Sequence, residues 1–140
     1  MALAHAISQQ PPWWRPHNEA HWARIRQVTL LAPHLCVALD SDSQRDIAAV
    51  TAALWAELKG AAFCYRLPPQ DLDLDPREAR RQLAIYDQAW LLMQALDVLS
   101  RIPSPRRQES SVTTDRRLHW AQQVTALHRE LKAMTARKTP

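Results

Sequence analysis

A chain of 140 residues with 46% hydrophobic and 23% charged residues is one domain by length, can bury a real core, and is too apolar to be disordered. Its single glycine, Gly60, disfavours a strand-rich fold with tight hairpins and rules out every glycine-rich phosphate loop, so neither a dinucleotide-binding nor a P-loop enzyme is expected. The formal net charge of +4, carried mostly by arginine, tilts the chain towards an anionic partner, be it nucleic acid, an anionic membrane surface or an acidic protein.

Residues 1–15 read as an irregular N-terminal arm. Gln9, Gln10, Pro11 and Pro12 break regular structure, and the adjacent Trp13 and Trp14 cannot both face inward on a helix. If exposed, the two tryptophans suit a protein interface, and they are the candidate partner-binding residues. Met1–Gln10 has no cationic start and no long apolar run, so no secretory signal is expected. No segment approaches the roughly 18 apolar residues of a membrane span, and a cytoplasmic protein with reduced thiols follows as the expectation.

The rest, residues 16–137, is expected as a single helical-bundle domain. A first helix starts at Pro16, which suits the first helical position. Trp22, Ile25, Val28, Leu31 and Ala32 form its apolar stripe, and Pro33 should break or kink it before a further turn over Leu35–Leu39. His17 and His21 stand four apart, the spacing from which two imidazoles reach one divalent metal, and His34 and Cys36 are near enough in sequence to complete a mixed set. The ordinary alternative is a pair of surface histidines. The stretch departs from the metalloprotease H-E-x-x-H pattern, because Glu19 lies midway between the histidines.

Asp40–Ser43 is a polar loop, and Ser43 with Asp46 resembles a capping box. A second helix carries Ile47, Val50, Leu54 and Leu58, with Gly60 placed as a left-handed C-terminal cap. Residues 61–70 form a connector containing Cys64, which reads as a structural thiol with no catalytic signature around it; whether it meets Cys36 stays open. Asp71, Asp73 and Asp75 alternate as a solvated acidic patch, not as an acid–base pair.

Asp75 and Pro76 mark a third helix running to about Arg101. Its first turns are basic, and its second half, Trp90–Leu99, is apolar almost all round, predicting that this is the central, most buried helix. Residues 102–113 read as a flexible Pro/Ser-rich linker. A fourth helix, capped by Thr113 or Thr114, carries Trp120, Val124, Leu127, Leu131 and Met134 in alternating steps of four and three, a heptad seam that either closes its own bundle or docks into a partner.

Three arginine dipeptides, Arg80–Arg81, Arg106–Arg107 and Arg116–Arg117, are the candidate nucleic-acid contacts, since the guanidinium fork fits phosphate in a bidentate way. Acidic neighbours Glu78 and Asp115 fit a plain solvated surface equally well. The expected fold is an all-α bundle of about four helices. The expected function is that of a small basic non-enzymatic subunit or adaptor, with a protein partner foremost, nucleic acid second, a metal at His17 and His21 third, and no cofactor.

Overall fold

A computed structural model describes residues 19–60, 74–103 and 111–136. Among them are four helices and no strand: α1 Glu19–Asp40, α2 Gln44–Gly60, α3 Pro76–Arg101 and α4 Ser111–Ala136. The expected all-α bundle of four helices is the observed fold. The N-terminal arm, the Pro16 helix start and the connector 61–70 lie outside the described residues.

Helix α1 runs unbroken through Pro33. A proline removes one ladder hydrogen bond and crowds the preceding turn. Here Pro33 lies on the exposed face and the helix continues through it, so the expected break does not occur. The opposite face places Trp22, Ile25, Val28, Ala32 and Leu35 in the core.

The α1–α2 turn follows from local chemistry. Asp42 takes the left-handed conformation with φ 53°, while the amide of Asp42 donates to the Leu39 carbonyl at 3.2 Å and that of Ser43 to the Ala38 carbonyl at 3.3 Å. These two bonds close α1 as a Schellman motif with aspartate in the position usually held by glycine. Ser43 then starts α2: its hydroxyl accepts from the Asp46 amide at 3.3 Å and its carbonyl from the Ile47 amide at 2.8 Å. Gly60 is the last residue of α2, and the cap expected there adjoins residues outside the described ones. The expected result for Asp42→Val is a loss of about 1–2 kcal/mol, because a β-branched side chain clashes in the left-handed region, whereas Asp42→Asn is tolerated. Chemical denaturation of the two variants against wild type measures the difference.

Helix α3 begins as the sequence predicts, with the Arg77 amide donating to Asp75 Oδ1 at 3.1 Å and Pro76 at the first helical position. It ends at Ile102, whose amide bonds the Leu99 carbonyl at 3.2 Å, ahead of Pro103. Helix α4 starts at Ser111, so the last residues of the predicted linker, Ser111–Thr113, are helical and neither Thr113 nor Thr114 is the cap. After Pro105 nothing in the sequence forbids helix, and the fold extends it backwards.

The short turn makes α1 and α2 an antiparallel hairpin, closed at its far end by Arg24 and Glu57 at 3.8 Å. Helices α3 and α4 form the second hairpin: the Gln88 side chain donates to the Leu127 carbonyl at 3.0 Å, and Arg117 donates to the Pro103 carbonyl. Helix α1 packs against all three others, whereas α2 and α4 nowhere bring Cα atoms within 8 Å. One core joins Trp22, Ile25, Leu35, Leu54, Leu58, Ile85, Tyr86, Leu92, Met93 and Leu131. The buried part of α3 is Ala79–Ala95, not the Trp90–Leu99 stretch, since Leu91 is exposed and nothing after Ala95 is fully buried. The stripe Ala79, Gln82, Ile85, Tyr86, Ala89, Leu92, Met93 keeps helical spacing through the basic first turns and wins over total hydrophobicity.

Candidate functional site: an apolar mouth and a basic spur

The two hairpins end at different heights. Helix α1 stops at Asp40 beside the last third of α4, where Asp40 Oδ2 meets Lys132 Nζ at 2.7 Å and Oδ1 lies 3.4 Å from His128 Nε2. The α3–α4 hairpin continues past this level. Leu96–Pro103 and Val112–Val124 form a two-helix spur in which no residue is fully buried. Two helices alone cannot enclose the apolar side chains they carry.

At the foot of the spur, where α1 has ended, lies an apolar cavity of about 480 Å³. Leu39 from α1, Ile47, Ala48, Thr51 and Trp55 from α2, Leu96 and Leu99 from α3, and Val124 from α4 line it; Asp42, Gln44, Asp97 and Ser100 complete its wall. Helix α2 is uncharged from Ile47 to Ala56, and only Leu54 within that run is fully buried. The Thr51 hydroxyl is shielded from solvent and has no hydrogen-bond partner, which an occupant with a polar group could supply. A second cavity, about 540 Å³, shares Trp55 and Asp97 with the mouth and reaches Leu91, Trp120, Gln123 and Leu127. Trp55 stacks edge-to-face on Trp90 with centroids 5.5 Å apart, so the rim between the cavities is rigid.

The predicted heptad seam of α4 divides here. Leu131 is fully buried and closes the bundle, while Trp120, Val124, Leu127 and Met134 are half-buried, the first three facing the two cavities. The structure shows the seam closing its own bundle, with Val124, Leu127 and Met134 packed against the core around Leu131.

The candidate arginines separate. Arg80 is exposed near the start of α3, and Arg81 binds Glu78 at 3.2 Å. Arg116 and Arg117, on α4, lie beside the other end of α3, some 20 residues or ~30 Å along it at 1.5 Å per residue. Arg117 holds the Pro103 carbonyl, and exposed Arg116 lines a tip cavity of about 340 Å³ with Arg101, Ile102 and Val112. Arg106 and Arg107 are outside the described residues. The described spur carries Arg101, Arg116 and Arg117 together with Asp97 and Asp115, and Arg101 pairs with Asp97 at 3.0 Å.

Among the candidate metal ligands, His17 is outside the described residues and His21 is buried in the first turn of α1. His34 is exposed and Cys36 buried on the opposite side of α1, ~20 Å along the helix from His21, so these three do not converge. No group of three or more metal-ligating side chains occurs among the described residues. Trp13, Trp14 and Cys64 lie outside them.

The charges on Asp40 and Lys132 reinforce each other: the hydrogen bond from Lys132 holds the Asp40 carboxyl below its ordinary value, and Asp40 raises Lys132. Burial pushes the neighbouring Cys36 thiol up, against a hydrogen bond with Thr135. A depressed carboxyl adds stability above its ordinary pKa of 3.8, lost as pH falls through the folded value; a raised lysine adds stability below 10.5, lost as pH rises through its own. Asp40→Asn is therefore expected to lower stability between those limits and to converge with wild type in acid. Urea denaturation across pH reads the two curves; parallel curves would refute the assignment.

Sequence reasoning missed the mouth, which no motif encodes. The run of uncharged residues in α2 is the signal that could have found it. Comparison of the chain with protein-family models, with curated proteins and with solved structures finds no match. No described helix is long and apolar enough to cross a membrane.

Proposed function

We propose that the protein is a small non-enzymatic helical subunit or adaptor, and that the apolar mouth with the adjoining spur is its protein-binding surface. One observation carries this reading: the uncharged run of α2 and the upper heptad seam of α4 flank an apolar cavity that the four described helices leave open. Interfaces place apolar and aromatic side chains at such sites, within a polar rim. The test is affinity capture with wild type and Trp120→Glu, both checked for native helicity. Loss of captured proteins specifically from the variant is expected, and identical capture overturns the reading.

A second reading, direct binding of DNA or RNA, draws on the arginines of the spur. Under the subunit reading a labelled mixed-sequence nucleic acid binds weakly and is released at physiological salt. Tight binding retained there, with a steep salt dependence and lost in Arg116→Asp, would put nucleic acid first.

A further inference from the structure

We draw no further inference here: the strongest candidate, the apolar mouth at the foot of the α3–α4 spur, belongs to the site already described, and with its wall carboxylate Asp97 paired to Arg101 within the chain nothing in the structure shows what covers it.

Discussion

Truncation after Thr114 is expected to abolish cooperative unfolding, not merely to remove a docking helix. Leu131 is fully buried in the common core, and Val124, Leu127 and Met134 pack against it. Burying a leucine contributes about 1.5–3 kcal/mol, so with three half-buried partners α4 supplies several kcal/mol from its own side chains. A similar apolar area on α1 and α3 would be uncovered with its loss. Natural domains are stable by only about 5–15 kcal/mol, and the loss is of that order. The truncation also deletes Lys132, Thr135 and the Leu127 carbonyl that fixes Gln88. Thermal melts by circular dichroism decide it; a sharp transition in the truncated chain would show that α1–α3 form a core alone.

The second large effect separates two adjacent leucines. Leu92→Ala is expected to cost about 2–5 kcal/mol, because Leu92 is fully buried among core residues of α1 and α3 and its removal leaves a cavity. Leu91→Ala should stay within about 0.5 kcal/mol, since Leu91 is 48% exposed. Urea denaturation of both variants measures the contrast. Equal costs would mean that α3 is turned differently about its axis, and would undo the placement of Leu91 in the cavity between Trp55 and Trp120.

Much of the fold is legible in the residues because it is local. Asp75 and Pro76 start α3 by chemistry confined to a few neighbouring residues, and Ser43 starts α2 in the same way. The stripe Trp22, Ile25, Val28, Ala32 needs only helical periodicity to be seen. What escaped depends on other elements. Pro33 survives within α1 because its side of the helix faces water, a tertiary fact. Asp42 takes the left-handed conformation that ends α1, in a stretch whose residues read only as a polar loop. Trp90–Leu99 looked central because apolar residues surround it, yet α1 ends too soon to cover its last turns. The mouth is a product of unequal helix heights, which no single segment records. Of the predicted site residues, the arginine dipeptides were visible as charge, but their division between opposite ends of α3 was not.

The shared role of Ser43 has a consequence for how the sequence can change. One residue belongs to the end of α1 and the beginning of α2, so the corner has no slack. Each residue added there would turn α2 by about 100° about its axis, since a helix has 3.6 residues per turn. Leu54 and Leu58 would swing out of the interior, and Ala53 and the charged Glu57 would take their places. Substitutions in this corner are therefore graded in effect, whereas insertions and deletions act as a change of phase.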